Sequence, residues 1–499
     1  MTGNRCAIAF ILLLFMAMPL RADEGGTGSK DGTIITFWPL VDYRESPQEK
    51  YSNLSVLGPL FKLQRRQDDH DIALRPLFYR SANDRDKGTV TEYLYPLASS
   101  ETSPEVSTFQ VLQLYQNNTY RKDEGVARET RTMLFPFYIS GTSEKYGPYT
   151  SVFPLYGDLY ERFWRDEYHY VMFPLYGRTV KKGTTTSNYL YPFFSTTSGQ
   201  GESGYQFWPL YGQSAKEGVY SRRFVLWPLY LHERSGLDTD NPTSTSYLLP
   251  FYAATDSPRV TARYYLWPFF GYRSETEGNQ EERDYFWPFV RTIRGDTRSL
   301  DSFLPFYLTD ERKETRKRWV MWPIYKYEEI DSDVFHQERE RVFYFVYSDN
   351  RESWPKDGAF RRRTAFWPFY LYNRDTRGVK SLSLPAPVES FLNREGIEKS
   401  WAPFWRIYQQ KWNDKGDSAV SFLWNLYWHE KKDEDLSYEF FPALAYRSEK
   451  EKFDIKLLKG LFRYSNDSSV KSVTLFWLPF GFTWGETEAK TVAGRGGGL

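Results

Sequence analysis

The stretch Phe207-Trp208-Pro209-Leu210-Tyr211 returns 19 residues later as Leu226-Trp227-Pro228-Leu229-Tyr230. An apolar or aromatic pair, a proline, and then mostly Leu or Phe followed by Tyr form the recurring pattern. The pattern is centred on Pro136, Pro154, Pro174, Pro192, Pro209, Pro228, Pro250, Pro268, Pro288, Pro305, Pro323 and Pro368. Successive prolines lie 17 to 22 residues apart, except for one gap of 45. Self-similarity at a near-constant period predicts a tandem repeat architecture.

The residues of one repeat indicate β-strands. Tyr264–Tyr272 is apolar around Pro268, and the polar segment that follows contains Gly278-Asn279. Aromatic runs bounded by polar clusters with Gly, Asn, Asp or Ser are typical of strands, whereas a proline every 17 to 22 residues would break helices. Proline cannot donate to a strand ladder, so we expect each strand to bend at its proline and continue. A glycine after the motif, as in Tyr211-Gly212, suits such a bend.

The predicted fold class is therefore all-β. We expect a tandem array of about 20 short strand or hairpin repeats with a period of 17–22 residues, either open and solenoid-like or ring-like. The alternative is an outer-membrane β-barrel, which the strand-length runs, the many aromatic residues and the charged flanks also resemble. Runs that are apolar on both faces, together with proline inside the motif, favour the array over the barrel.

The pattern divides the chain into five segments. Residues 1–22 have the positive start, the short apolar run and the small residue before an acidic stretch that are typical of a cleaved signal peptide. Degenerate repeats are predicted over 23–130, the regular array over 131–372 and further degenerate repeats over 373–484. The glycine-rich residues 485–499 are predicted to be a flexible tail.

Composition narrows the choice of function. The 65 Lys and Arg residues nearly balance the 64 Asp and Glu residues. The chain therefore has no large positive charge that would attract nucleic acid, and we do not expect nucleic acid as a partner. The only cysteine, Cys6, lies in the predicted signal peptide, which leaves no thiolate metal site or disulfide in the mature chain.

No motif for catalysis, cofactor binding or metal binding emerges, so we expect no enzyme activity, no cofactor and no metal. The five histidines are expected to be surface groups or groups with ordinary partners: His70, His169, His232, His336 and His429. Two acidic pairs, Asp166-Glu167 and Glu281-Glu282, are interpreted as solvated turns. The basic run Arg361-Arg362-Arg363 and the charged segment Glu311–Arg318 are interpreted in the same way.

The regular tryptophans have two interpretations. Their constant place in the repeat favours a structural role in the core, and exposed indole faces that stack on sugar rings are the alternative. These residues are Trp208, Trp227, Trp267, Trp287, Trp322 and Trp367.

The leading functional hypothesis is an exported, non-enzymatic repeat protein of the periplasm, outer membrane or extracellular space that acts as a scaffold or binding surface. An outer-membrane barrel protein is the second hypothesis, and a carbohydrate-binding or carbohydrate-active repeat protein is the third. The sequence does not identify a partner; another envelope protein or a polysaccharide would suit an aromatic repeat surface.

Overall fold

The computed structural model describes residues 32–121, 127–392, 394–450, 452–467, 470–478 and 480–485. The predicted signal peptide lies outside these residues, as does the predicted tail after Gly485. Nearly all of the described chain is β-structure, in 46 strands. The predicted all-β tandem array of hairpin repeats is confirmed. Among the described residues, no helix is both long and apolar enough to cross a membrane.

The strands fall into two units. The middle unit runs from Asp69 to Asp414, and the terminal unit combines the described residues up to Asp68 with those from Lys415 on. These units do not follow the five segments drawn from the repeat pattern, and those segment boundaries stay a prediction.

The terminal unit contains twelve strands in two groups, each group made of consecutive antiparallel pairs. They are β1 (Thr33–Phe37), β2 (Val41–Ser46), β3 (Tyr51–Val56), β4 (Phe61–Arg66), β39 (Ser418–Phe422), β40 (Tyr427–Lys432), β41 (Asp435–Phe440), β42 (Leu444–Glu449), β43 (Lys452–Leu457), β44 (Phe462–Asp467), β45 (Val470–Leu475) and β46 (Phe482–Gly485).

The middle unit contains the remaining strands, each paired antiparallel with its neighbour in sequence. They begin with β5 (Asp69–Leu74), β6 (Phe78–Asn83), β7 (Gly88–Tyr93), β8 (Ala98–Thr102), β9 (Val106–Val111), β10 (Tyr115–Arg121), β11 (Ala127–Leu134), β12 (Tyr138–Ser143), β13 (Gly147–Val152), β14 (Tyr156–Arg162), β15 (Arg165–Val171) and β16 (Tyr176–Lys181). They continue with β17 (Thr184–Tyr189), β18 (Phe194–Gly199), β19 (Glu202–Phe207), β20 (Tyr211–Lys216), β21 (Tyr220–Val225), β22 (Tyr230–Ser235), β23 (Thr243–Leu248), β24 (Tyr252–Asp256), β25 (Val260–Tyr265), β26 (Phe270–Glu275) and β27 (Gln280–Phe286). They end with β28 (Val290–Arg294), β29 (Arg298–Phe303), β30 (Tyr307–Arg312), β31 (Thr315–Val320), β32 (Tyr325–Asp331), β33 (His336–Val342), β34 (Tyr347–Trp354), β35 (Ala359–Phe366), β36 (Tyr370–Arg374), β37 (Lys380–Leu384) and β38 (Tyr408–Trp412).

The proline motif is the turn of a hairpin, which corrects the expected bent strand. In the repeat around Pro209, β19 ends at Phe207, the turn is Trp208-Pro209-Leu210, and β20 begins at Tyr211. The peptide bond before each proline of the regular motifs is cis, as in type VI turns. One repeat is therefore two strands joined by an aromatic turn, and a polar turn joins it to the next repeat. Because antiparallel strands alternate in direction, the motif turns within each unit lie at one set of strand ends, which we call an edge, and the turns between repeats lie at the opposite edge. Most turns at the opposite edge are polar, and Phe163-Trp164 between β14 and β15 is an aromatic exception.

Main-chain hydrogen bonds connect successive turns along the aromatic side. The N–H of Leu226 donates to the carbonyl of Leu210, and the N–H of Trp227 donates to that of Pro209, each at 2.7 Å. The same connection recurs at other motifs, for example from Trp322 to Pro305 at 2.8 Å. Proline carries no N–H, but its carbonyl remains free to accept, so a proline at this point does not interrupt the connection.

The polar turns are connected in the same way with different residues. Glu217 donates its N–H to the carbonyl of Gly201 at 3.1 Å, and Leu237 donates to Val219 at 3.0 Å. At one polar turn the acceptor is a side chain, because the N–H of Lys182 donates to Asp166 Oδ2 at 2.5 Å. Both edges of the array are thus held by bonds between neighbouring turns.

The glycines that follow the motif lie inside strands, not at a bend as expected, and three of the four, Gly157, Gly212 and Gly271, lie beneath aromatic rings. A Cβ on Gly212 would be 2.2 Å from the ring of Phe224, and one on Gly157 would be 2.1 Å from the ring of Tyr170. In each case the ring belongs to the residue directly opposite on the next strand. A ring that covers a cross-strand glycine packs closely against the backbone and favours this register.

Small clusters form the interior of the middle unit. Ile139, Tyr149 and Leu159 pack together on β12, β13 and β14. A helical segment after β37 runs through a π-helical turn, Ile397–Trp401, into the short helix α1 (Ala402–Trp405). Trp401 Nε1 donates to the carbonyl of Tyr95 at 2.8 Å, which holds this segment against the beginning of the unit.

In the terminal unit the first hairpin contacts the turns between β39 and β42. Trp38 Nε1 donates to the carbonyl of Leu423 at 2.8 Å, and the rings of Phe37 and Phe441 meet edge to face at 5.5 Å. Asn425 stands where the motif has proline, and its side chain donates to Asp42 Oδ2 at 2.8 Å. The departure from proline at this degenerate repeat therefore has a structural reason, because the asparagine supplies a hydrogen bond between the β39–β40 turn and β2.

Candidate binding surfaces of the array

A row of aromatic turns lies along one side of the middle unit between residues 134 and 370, and we call it the aromatic edge. Its regular turns run from the last residue of one strand to the first residue of the next, as in Phe207–Tyr211 and Val225–Tyr230. None of these regular turns contains a charged residue. The edge is therefore a continuous uncharged strip on a chain in which 26% of residues are charged.

The residue after each proline is the exposed tip of its turn. These side chains keep between 40% and 63% of their surface accessible in Phe137, Leu155, Leu175, Phe193, Leu210, Leu229, Phe251, Phe269, Phe289, Phe306 and Phe369. Ile324 is half-buried. Exposed apolar groups in such number along one edge are typical of a surface that contacts another molecule.

The regular tryptophans also lie on this edge, so their interpretation as core residues was wrong. Trp227, Trp267, Trp287, Trp322 and Trp367 are between 38% and 51% exposed, and Trp208 is half-buried. The constant position of the tryptophans in the repeat did not distinguish the two roles, because a residue of a repeated turn recurs as regularly as a residue of a repeated core. Their exposure keeps the ligand-stacking interpretation open for these side chains.

Residues that precede the prolines pack against one another between neighbouring turns, with their ring planes tilted by 36° to 49°. Phe173 lies 5.6 Å from Phe153 and 5.8 Å from Tyr191, and Trp208 lies 5.7 Å from Trp227, measured between ring centroids. Ring pairs at these separations contribute about 0.5–1.5 kcal/mol each. The edge is thus held in place by its own side chains as well as by the main chain.

An open cavity of about 550 Å³ lies beside the aromatic edge over β17–β23. Two indoles, Trp208 and Trp227, line it together with Asn188, Arg222 and Glu233. Arg222 Nε donates to Glu233 Oε1 at 2.9 Å, and both side chains are well exposed. The volume suits a small organic ligand, and ring faces next to amide and charged groups suit a sugar.

Buried ion pairs stabilise the sheet away from the edges. Asp349 is 2% exposed and accepts hydrogen bonds from Arg362 Nε at 3.0 Å, Arg351 Nε at 3.0 Å and Thr364 Oγ1 at 2.6 Å. Burial alone would raise the pKa of this carboxyl, but the hydrogen bonds from Arg362 and Thr364 outweigh burial and lower it. Asp349 is therefore a charged structural group with its partners in place.

At a second buried carboxyl, that of Asp284, hydrogen bonds do not compensate for burial. Arg291 pairs with Glu282 and has its Nε 3.4 Å from Asp284, but neither that Nε nor Asp284 Oδ1 makes a hydrogen bond. Burial raises the pKa of Asp284 to about 6. We take the burial effect to prevail over the nearby guanidinium, because Arg291 directs its closest contact to Glu282. Asp284 does not line the cavity over β17–β23.

The charged runs that the sequence suggested as turns are mostly strand residues. Glu281-Glu282 lies in β27 and Asp166-Glu167 in β15, and Glu282 is buried. Arg361-Arg362-Arg363 lies in β35, and Glu311–Arg318 spans the end of β30, a turn and most of β31. The prediction failed because a strand can carry charges that pair across to the next strand, as Arg362 does with Asp349.

Each histidine has a partner, as predicted. His70 contacts Asp84, His232 contacts Ser246, and His429 contacts Ser418. His169 lies between Asp158 and Glu167. The five histidines are not gathered into one site.

One cluster has the composition of a metal site. The ligand atoms of Glu329, Asp331 and His336 lie within 4.8 Å of one another at the polar end of β32 and β33. However, Glu329 already accepts a hydrogen bond from Tyr327 at 3.2 Å and pairs with Arg316 at 3.5 Å, while Asp331 is exposed. These partners account for the cluster as a surface ion-pair group, and the expectation of no metal stays a prediction.

The comparisons with known proteins add no family. No protein-family model matches the chain, and no curated protein is similar to it. The class that the fold and surface define is a β-hairpin repeat array with one aromatic and one polar edge.

Proposed function

We propose that this chain is an exported, non-enzymatic repeat protein that presents the aromatic edge as an extended binding surface of the cell envelope. The observation that supports the proposal is the row of exposed tips, which are apolar although water surrounds them. Export is supported by the leader-like residues 1–22.

Fractionation of cells that express the full chain with a carboxyl-terminal tag tests this proposal. We expect the tagged protein outside the cytoplasm, in the periplasmic or extracellular fraction or bound peripherally to the outer membrane, and shortened near residue 22. A matched variant that lacks residues 2–22 should stay in the cytoplasm. Recovery of the full chain from the cytoplasm would contradict export, and recovery only after detergent extraction, with heat-dependent gel mobility, would favour the outer-membrane barrel alternative.

Carbohydrate binding is a second candidate function, and the cavity over β17–β23 favours it. Trp208 and Trp227 offer ring faces, while Asn188, Arg222 and Glu233 offer donors and acceptors at the same opening. Sugars bind proteins through this combination of stacking and hydrogen bonding.

Affinity electrophoresis in gels that contain soluble polysaccharides tests the second candidate. Binding should slow the wild-type protein in at least one gel, and Trp227→Ala should remove the effect. Trp287→Ala is the matched control, because Trp287 has a similar exposure on the same edge but does not line the cavity. Equal retardation of both variants would exclude the cavity as the binding site.

A further inference from the structure

We infer that the aromatic edge adsorbs to the surface of a lipid bilayer, with its tips among the acyl chains and the body of the array in water. The inference rests on the proposed binding function and names the partner of that surface. It starts from the order of residue types along each strand.

Polarity increases in steps away from the edge. In the repeat around Pro154, Leu155 is the tip, Tyr156 begins β14, and Asp158 is the first charged residue of that strand. On the opposite side of a turn, β21 ends with Arg223, Phe224 and Val225 before the tip of the next turn at Leu229. Apolar tip, aromatic residue and then charge is the order in which side chains meet a membrane interface.

The depth of this gradient fits shallow insertion. Asp158 lies three positions after the tip Leu155, which corresponds to about 10 Å at roughly 3.3 Å per residue. Interfacial protein segments bury their apolar face about 5–10 Å into the boundary between head groups and acyl chains. The uncharged strip is therefore deep enough for adsorption to one leaflet.

The shape of the edge also fits a broad partner. Tips that are two strands apart in the sheet stand about 10 Å from one another, and they form a row on the outside of the turns. Leu210 and Leu229 are 46% and 48% exposed and do not line the neighbouring cavity, so both side chains are available to a partner that lies along the edge.

Charge balance determines which membrane is expected. Lys and Arg number 65 against 64 Asp and Glu, and the edge itself is uncharged. Electrostatic attraction to anionic lipid is therefore small, and adsorption should come from apolar insertion. We expect binding to neutral and anionic bilayers alike, with little dependence on salt.

Flotation of the purified full chain with large unilamellar vesicles tests the inference. One set of vesicles contains phosphatidylcholine alone, and a second contains phosphatidylglycerol as well. The protein should float with both sets, and phosphatidylcholine brominated on the acyl chains should quench its tryptophan fluorescence. A wild-type protein that stays at the bottom of the gradient with both sets would overturn the inference.

A tip variant and a matched control make the test specific. The triple variant Leu210→Ser, Leu229→Ser and Phe251→Ser should lower the vesicle-bound fraction at least tenfold. Leu237→Ser should bind like the wild type, because Leu237 is also 44% exposed but lies at a polar turn. Circular dichroism should show that each variant keeps its β-structure.

Two results would contradict adsorption of the aromatic edge to lipid. If the triple variant floats like the wild type, the edge is not the lipid surface. If the wild type ignores vesicles but forms a dimer by light scattering that the same substitutions dissociate, the occupant of the edge is a second copy of the chain. Failure of export would remove the proposed envelope function without changing the vesicle result, so the two proposals fail separately.

Discussion

The two edges of the middle unit have the same backbone design and opposite chemistry. On the aromatic edge the N–H of Leu226 bonds to the carbonyl of Leu210, and on the polar edge the N–H of Leu237 bonds to that of Val219. The polar turns at Gln200-Gly201 and Glu217-Gly218 make this connection without proline or tryptophan, although a few other polar turns contain them, for example Phe163-Trp164 between β14 and β15. Connected turns therefore do not require exposed aromatic side chains. The tips of the aromatic edge are better explained by contact with something outside the sheet.

The comparison of the two edges distinguishes residues that hold the sheet together from residues that serve its surface. Among the substitutions that test this distinction, glycine to alanine should change the free energy of unfolding most. Gly212→Ala should lower the free energy of unfolding by about 3 kcal/mol, because the added Cβ would meet the ring of Phe224. Gly218→Ala, in a polar turn, should cost only about 1 kcal/mol. Its φ of +69° disfavours a side chain, but no atom lies within 4 Å of the new Cβ.

Urea denaturation followed by circular dichroism measures both variants. The pair Gly212→Ala and Phe224→Leu should be less destabilising together than the sum of the two single changes, because the smaller side chain relieves the contact. Equal destabilisation by Gly212→Ala and Gly218→Ala would show that ring packing over the glycine does not distinguish the two sides of the sheet.

A buried carboxyl near the aromatic edge gives a pH-dependent prediction. Asp284 has a pKa of about 6 in the folded protein and an ordinary value of 3.8 when exposed. Between these values the folded chain holds a proton that the unfolded chain has released, so the contribution of Asp284 to stability falls as the pH rises from about 4 to about 6. At neutral pH the burial of this charge costs up to about 3 kcal/mol, at 1.36 kcal/mol per pKa unit.

Asp284→Asn should therefore raise stability at pH 7 and change it little at pH 4. The measurement is the difference between variant and wild-type denaturation midpoints across this range. Asp349→Asn provides the opposite sign, because hydrogen bonds lower the pKa of Asp349 despite its burial, and its loss should destabilise the protein most at neutral pH. A difference for Asp284→Asn that is constant with pH would contradict the burial of its charge.

A side-chain acceptor on the polar edge gives a smaller effect. Asp166→Ala removes the carboxylate that accepts from the N–H of Lys182, and should cost about 1 kcal/mol. Asp240→Ala is the control, since Asp240 is exposed and its ion pair with Arg259 should contribute less than 1 kcal/mol. Thermal denaturation of the two variants checks the order, and a larger loss for Asp240→Ala would contradict it.

Much of the fold could be predicted from the sequence, because the period and the turn residues are local signals. The strand pairs and the turn at Gly278-Asn279 follow from spacing and residue type. The sequence did not predict that the proline lies in a turn between two strands. An apolar run around a proline suggested a buried strand, whereas the structure has an exposed apolar turn. Long-range contacts carry no local signal either: Asn425 and Asp42 are 383 residues apart in the chain.

The candidate surfaces were less predictable than the fold. The sequence showed that the tryptophans recur at one position of the repeat. It did not show that they are exposed, because their exposure depends on the turn in which they lie. The buried charges of β27 and β34 could not be predicted from the sequence either, because a pair such as Asp349 and Arg362 forms only when the strands are in register.

Hydrogen exchange at the two edges tests the central claim most directly. The amides of Leu226 and Trp227 report on the aromatic edge, and those of Glu217 and Leu237 on the polar edge. In the double variant Leu210→Ser and Leu229→Ser, we predict that all four amides keep their wild-type protection, because main-chain bonds connect the turns and the tips serve a surface. Loss of protection at Leu226 and Trp227 alone would show that the tips hold the edge together, and would contradict the account.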